Sequence, residues 1–373
     1  MSLTVVFTGG GTGGHIYPGL AIADEFRRLC SENGKDCKIV WIGSSSGMDK
    51  KIVEKSGSVD KFYGIPAGKL RRYFSFKNFI DVFKIFAGFI AAFFILCKIK
   101  PSIVFSKGGF VSVPPCFAAK LLKIAVFTHE CDFSPGLATK LNSKFAKRIL
   151  LSYEQTSNFF SENNKKKLIV TGNPVRPVFY NANSDEGKKF LGLTINNEKP
   201  ILVVVGGSLG AKQINQFVLE NLDFLCENFV VVHQTGADGF SLFANVSKEN
   251  YKVYPFIYNE MPNVLAAADV VLSRAGANSI WECAVLGKPM VLVPLCGSGT
   301  RGDQLENAKF FEQKGAAVVL AGENATNENL ICALEQMKKS ENRLLASNAA
   351  KQMTCGKFPA EDIANLIYSE VFL

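Results

Sequence analysis

The chain has 373 residues, 47% of them apolar and 20% charged, which is room for two domains at ~150 residues each and too much apolar material for a disordered chain. Its net charge of +9 is unevenly spread, with a net +13 over residues 1–172 and a net −4 over residues 173–373. A polyanion or an anionic membrane surface suits the first half, and neither suits the second.

The ten cysteines form no C-x-x-C pair and only three histidines are present, which argues against a structural zinc site. Cys97, Cys226, Cys283 and Cys332 fall singly in apolar runs and read as reduced, buried thiols of a cytoplasmic protein. The N-terminal run enters a glycine loop with no basic segment ahead of it, so it reads as a first strand rather than a signal peptide.

Short apolar runs alternate with helix-length amphipathic stretches, the pattern of parallel α/β sheets. Strands are predicted at 4–8, 38–42, 103–106, 125–129, 148–152 and 168–171. After the proline-broken connector Gly172-Asn-Pro-Val-Arg-Pro, a second set follows at 201–205, 229–233, 252–254, 270–273, 290–293 and 317–320. The thirteen apolar residues 85–97 are too few to span a bilayer and read as a core helix with one apolar face. Each half opens alike, with a strand, a glycine-rich turn and a helix: Val5-Val-Phe-Thr-Gly-Gly-Gly-Thr-Gly-Gly, then Val203-Val-Val-Gly-Gly-Ser-Leu-Gly-Ala. Two doubly wound domains facing a central cleft follow, with ligands at the carboxyl ends of the strands.

Gly9, Gly11 and Gly14 satisfy G-x-G-x-x-G, whose bare N–H groups suit an anion at a helix N-terminus. A dinucleotide site also needs an acidic residue after the second strand. The sequence there is Gly43-Ser-Ser-Ser-Gly-Met with nothing acidic before Asp49, which argues against NAD. The loop at Gly206 and Ser208 can hold a diphosphate, and Glu282, on the helix after Ser273-Arg-Ala-Gly-Ala, suits a sugar diol. Asp303, Gln304 and Asn307 offer hydrogen bonds to hydroxyls, and Arg301 a charge for phosphate. His233 reads as structural; His129 reads equally as a satisfied turn histidine or a site residue. No nucleophile elbow, Walker loop or D-x-D motif occurs, so hydrolase, P-loop and metal-dependent readings fall away.

The ordered set Gly10-Gly-Thr-Gly-Gly-His, Lys107-Gly-Gly-Phe-Val-Ser, His129-Glu, Gly172-Asn-Pro-Val-Arg, Gly206-Gly-Ser-x-Gly-Ala, Arg274-x-Gly-Ala and Asp303-Gln-x-x-Asn-Ala resembles the MurG family. The resemblance runs from Thr4 to the C-terminus. It implies an α/β GT-B fold of two Rossmann-like domains: 1–172 for acceptor and membrane, 173–355 for UDP-GlcNAc, and a helix in 356–373 returning to the first. The implied reaction is inverting transfer of GlcNAc from UDP-GlcNAc to the MurNAc 4-hydroxyl of lipid I (undecaprenyl-diphospho-MurNAc-pentapeptide), giving lipid II for peptidoglycan, cell shape and division. A transferase with another lipid acceptor, or a non-catalytic nucleotide-sugar-binding protein, is the alternative.

Carried over onto this chain, the donor residues are Thr12, Gly13, Gly14, Arg176, Ser208, Ile257, Ala277, Glu282 and Gln304. Gly13, Gly14, His15, His129 and Glu130 would face the acceptor, with His15 as the catalytic base because its ordinary pKa of about 6.5 suits proton removal. No metal and no cofactor are expected. Leu209 and Asn278 depart from the family's usual Gln and Leu. Phe79, Phe83 and Phe86 share one helical face beside Arg71 and Arg72, which implies peripheral attachment to anionic lipids on the cytoplasmic face of the inner membrane. Other cell-wall synthesis proteins are further partners the family implies, and nucleic acid is not one.

Overall fold

A computed structural model describes residues 3–68, 76–194, 199–207, 210–297 and 300–372, with the backbone alone for 76–80. Arg71, Arg72, Ser208 and Leu209 therefore lie outside the described residues, as does the side chain of Phe79. The chain divides into two compact units: Met1–Arg176 with Lys357–Leu373, and Pro177–Gly356.

The first unit holds seven parallel strands: β1 (Leu3–Thr8), β2 (Cys37–Ser44), β3 (Lys61–Ile65), β4 (Ile103–Ser106), β5 (Ala125–Glu130), β6 (Arg148–Leu151) and β7 (Leu168–Val170). Their spatial order is β3-β2-β1-β4-β5-β6-β7. Strand β3 was not predicted: its Lys-Phe-Tyr-Gly-Ile run has an exposed lysine and a glycine, and it pairs only with β2, at the sheet edge. The order reverses between β1 and β4, so their carboxyl ends open a crevice at that switch point.

Helices α1 (Gly13–Glu32), α2 (Asp49–Ser56), α3 (Phe76–Ile99), α4 (Val113–Leu121) and α5 (Leu137–Asn142) surround this sheet. One face packs Val5, Phe7, Ile103, Phe105 and Phe127 against α1, and the other packs Val6, Val104 and Val126 with Ala92 and Leu96 of α3. Because side chains alternate along a strand, both faces are apolar and the strands read as continuous hydrophobic runs. Each fully buried Val, Ile or Phe stabilises by about 1.5–3 kcal/mol.

The C-terminal helix Pro359–Phe372 belongs to this unit: Ala360, Ile363, Ala364 and Ile367 recur at helical spacing and pack with α1. Arg28–Glu361 (3.0 Å) and Lys147–Glu370 (2.7 Å) fasten its rim.

Helix α3 departs from the sequence expectation. It runs 24 residues, about 36 Å, and Asp81–Ile99 is long and apolar enough to cross a membrane by length and composition, with mean hydropathy 2.2. Nor is it a core helix, since only 17% of that apolar window is buried. Gly88, Ala92 and Leu96 form its inner stripe; a Cβ on Gly88 would lie 2.2 Å from the Pro66 carbonyl oxygen. Val82, Phe83, Phe86, Ile90 and Phe94 point outward, Phe83 at 68% and Phe94 at 67% exposure. Phe117 and Leu121 of α4 extend this exposed apolar face.

The second unit has six parallel strands: β8 (Ile201–Val205), β9 (Val230–Gln234), β10 (Tyr251–Tyr254), β11 (Val270–Ser273), β12 (Met290–Leu292) and β13 (Ala317–Val319). Their order, β10-β9-β8-β11-β12-β13, again reverses beside the first strand, here between β8 and β11. The ten cysteines are free thiols; Cys226 and Cys283 are buried as expected, whereas Cys97 is half-buried and Cys332 sits on an exposed helix face.

Candidate active site

In the first unit the β1–α1 glycine loop and the β4 loop Lys107-Gly108-Gly109 meet at the switch point. Trp41 Nε1 donates to the Gly9 carbonyl (3.1 Å), and the buried Asp49 carboxylate accepts from the Gly11 N–H (3.0 Å) and the Ser44 N–H (2.9 Å). Gly109, at φ +81°, is where the two loops touch: a Cβ there would lie 2.5 Å from the Gly10 carbonyl oxygen and 3.0 Å from His15 Cδ2. The His15 ring thus lies along Gly108 and Gly109, while its own N–H bonds the Thr12 carbonyl (3.1 Å). Thr12 is exposed, and Gly13 and Gly14 are half-buried as the first residues of a 20-residue helix. These N–H groups and the helix dipole make an anion-receptive mouth. Arg176 stacks its guanidinium over Tyr17 of α1, 5.2 Å from the ring centre.

The structure buries both His129 and Glu130, two residues that the resemblance has facing the acceptor. His129 is fully buried, with Nε2 3.0 Å from the Gly172 carbonyl oxygen. Burial first, and the Lys107 charge second, hold its pKa well below the ordinary value, so the ring is neutral. Glu130 is also buried, and its two oxygens accept from the Asp132 N–H (3.0 Å) and the Gly136 N–H (2.9 Å). His129 thus holds Gly172, and Glu130 holds the turn that follows β5. Glu130, Cys131 and Asp132 bring one ligand atom each within 4.8 Å, the spacing of a metal site, but the Glu130 oxygens already serve as loop acceptors.

In the second unit Gly206 and Gly207 follow β8, and Gly210 and Ala211 lead into the helix Lys212–Glu220. Gly210, at φ +80°, allows the turn to press on β9; a Cβ there would lie 2.1 Å from the Thr235 carbonyl oxygen. The buried Gln234 side chain links two parts of the site: Oε1 accepts from the Ile257 N–H (2.9 Å), and Nε2 donates to the Gly207 carbonyl (3.4 Å). Ile257 is buried and its N–H has this acceptor, so Gln234, which the sequence did not single out, fixes the turn beside it.

Ala277 begins the helix Ala277–Val285, and Glu282 lies half-buried on its second turn rather than at its mouth. Arg274 Nη1 bonds Gln213 Oε1 (2.8 Å) and the Val293 carbonyl (2.9 Å), tying the β11 loop to the helix behind the glycine turn. Gln304 accepts from the Leu295 N–H (3.0 Å). Two expectations from the sequence change: Arg301 pairs with Asp303 at 3.0 Å, and Asn307 is fully buried, its Nδ2 bonding the Ala275 carbonyl (3.4 Å) instead of a sugar hydroxyl. His233 is structural as read, held between Tyr251 OH (2.9 Å) and Asn215 Oδ1 (3.1 Å).

Residues 5–151 match the Glycosyltransferase family 28 N-terminal domain, and residues 201–367 the Glycosyltransferase family 28 C-terminal domain. The UDP-N-acetylglucosamine--N-acetylmuramyl-(pentapeptide) pyrophosphoryl-undecaprenol N-acetylglucosamine transferase of Treponema denticola is 52% identical over 98% of this chain and 97% of its own length. An enzyme of the same name, numbered 2, from Bacillus cereus is 40% identical over 90% of this chain and 92% of its own. Among solved structures, MurG of Acinetobacter baumannii gives a TM-score of 0.72 at 25% identity, covering 98% of this chain and 99% of that one. UDP-GlcNAc 2-epimerase of Methanocaldococcus jannaschii, 16% identical with a TM-score of 0.65 over 99% of this chain and 100% of its own, shares the fold. Two parallel doubly wound units, each with a glycine turn at its switch point, and this likeness along the whole chain place the protein in the MurG family of glycosyltransferases.

Proposed function

We infer that the chain transfers GlcNAc from UDP-GlcNAc to the MurNAc 4-hydroxyl of lipid I, with inversion, forming lipid II. The observation that carries this reading is the 52% identity over 98% of the chain to a transferase of that name. In an inverting transfer the hydroxyl oxygen bonds C1 as the C1–O bond to UDP breaks, so a base must take the hydroxyl proton and donors must hold the departing diphosphate. The turn at Gly206 and the dipole of helix Lys212–Glu220 suit the second task, with Ser208 as a further donor. His15, beside the first glycine loop, suits the first. Glu282 serves as the ribose acceptor, Ala277 and Gln304 as donor contacts, and Gly13 and Gly14 as contacts to the acceptor diphosphate.

The purified protein should release UDP from UDP-GlcNAc only when a lipid I analogue is present, with a product heavier by one GlcNAc. Release at the same rate without acceptor would refute the transferase reading. His15→Ala should lower kcat by ~100-fold or more while leaving the UDP-GlcNAc KM within a few fold. Normal kcat with a raised KM would remove His15 as the base.

The exposed face of α3 supports peripheral attachment to anionic lipid on the cytoplasmic leaflet. Phe83, Phe86 and Phe94 can enter the lipid while the exposed Lys84, Lys98, Lys120 and Lys123 meet headgroups, at about 1 kcal/mol per basic residue near the surface. Phe83, Phe86 and Phe94 all changed to Ser should abolish flotation with vesicles containing one third phosphatidylglycerol. Unchanged flotation would exclude this face.

A further inference from the structure

Lys107 is a buried lysine that meets no counter-charge among the described residues. It follows β4 at the switch point and is 1% exposed. Its Nζ is fully enclosed, with no hydrogen-bond partner and no ion pair among the described residues. Burying a lysine side chain is costly in general unless an anion comes to face it.

Its place in the fold indicates what that is. Lys107 continues the sheet face carrying Phe105, and His129 continues the same face from Phe127. Its Cβ lies 3.3 Å from the position a Cβ would take on Gly9 and 3.6 Å from that on Gly19, so its stem passes under the first turns of α1. The neighbouring His129 is neutral and its Nδ1 is also buried without a partner, so it offers no counterion. Asp49 is the acidic group built into the loop, and both its oxygens are engaged by the Gly11 and Ser44 N–H groups. The N-terminal end of α1 adds its own partial positive charge above the lysine.

We propose that Lys107 is a positioning residue that makes the first glycine loop selective for the doubly charged diphosphate of the lipid-linked acceptor. The proposal rests on the reading of this loop as the acceptor site. The lysine acts through the loop: its field adds to that of the Gly13, Gly14 and His15 N–H groups, so each further anionic charge at the mouth binds more tightly. A monophosphate gains less than a diphosphate, and that difference is the signature of the lysine.

The test uses the intact enzyme with short-chain acceptor analogues carrying either a diphosphate or a monophosphate link. Lys107→Met, and Lys107→Gln as a second neutral variant, should raise the KM for the diphosphate analogue about tenfold and leave the UDP-GlcNAc KM within twofold. The preference for diphosphate over monophosphate should shrink by a similar factor, and Lys107→Met should melt no lower than the wild type. A role in packing alone would not move the diphosphate-to-monophosphate ratio. A ratio unchanged in both variants would overturn the proposal, and a rise confined to the UDP-GlcNAc KM would assign the charge to the donor instead. Gly11→Ala, strained at φ +82° and crowding Phe110, tests the underlying reading. If it raises the acceptor KM while the lysine variants do not, the proposal alone fails. If it raises only the donor KM, the acceptor reading fails with it.

Discussion

Replacing Asp49 with alanine removes the one carboxylate that holds the first glycine loop in shape. Its oxygens accept from the Gly11 N–H at 3.0 Å and the Ser44 N–H at 2.9 Å, the second fully buried. Hydrogen bonds to a charged group contribute ~1.5–3 kcal/mol each, and a buried N–H left bare costs ~1–3 kcal/mol. Water can reach the partly exposed Gly11 N–H, so a loss of about 3 kcal/mol is expected for Asp49→Ala. Asp49→Asn keeps one acceptor oxygen and should lose about half of that, roughly 1.5 kcal/mol. For a unit of this size, each kcal/mol moves the melting midpoint by ~2–4 °C, giving drops of about 6–12 °C for Ala and 3–6 °C for Asn. Calorimetry of the two variants measures this directly, and steady-state kinetics should show a raised acceptor KM with little change for UDP-GlcNAc. If Asp49→Ala melts within 2 °C of the wild type and keeps its acceptor KM, the carboxylate does not organise the loop and the argument fails.

Two further outcomes follow from the second unit. Burial pushes the pKa of His233 down to about 4, against 6.5 for the free ring. The unfolded chain therefore binds more protons between those values. The stability contributed by the neutral ring is complete above pH 6.5 and is lost as pH falls toward 4, about 3 kcal/mol in all. Thermal melts from pH 7 to 4.5 should fall less steeply for His233→Gln, and equal slopes would place the acid sensitivity elsewhere. Gly210→Ala sets a side chain at φ +80° and 2.1 Å from the Thr235 carbonyl oxygen, so it should cost ~2 kcal/mol or more and raise the UDP-GlcNAc KM. A variant with wild-type affinity and melting would show that the turn can relax without cost.

The strands of both sheets were legible because parallel strands buried on two faces must be apolar at every position, as in Ile201-Leu-Val-Val-Val. The edge strand β3 escaped because an edge tolerates Lys61 and Gly64. The glycine loops were legible as strand-to-helix turns, because Gly11 and Gly210 take positive φ (+82° and +80°) that other residues rarely adopt. What braces them was not: Asp49 and Gln234 act across 38 and 23 residues of chain, and a single sequence carries no mark of who meets whom. Asn307 and His129, polar residues beside site motifs, likewise have carbonyl partners 32 and 43 residues away that the sequence does not mark. Helix α3 was misjudged for a different reason. Its packed stripe uses the small residues Gly88 and Ala92 while Phe83, Phe86 and Phe94 face outward, so the apolar run 85–97 suggested more burial than the helix has.

The return of helix Pro359–Phe372 to α1 makes the second unit an insertion within the first. During synthesis, residues 177–356 leave the ribosome as an uninterrupted stretch and can complete their sheet at once. The first unit is made earlier yet finishes later, because Ala360, Ile363, Ala364 and Ile367 emerge only after the insertion. Until then the groove on α1 is an open apolar surface, at the stage when the greasy face of α3 is also bare. The first unit is therefore the last to become whole, and the order of assembly runs opposite to the order of the sequence.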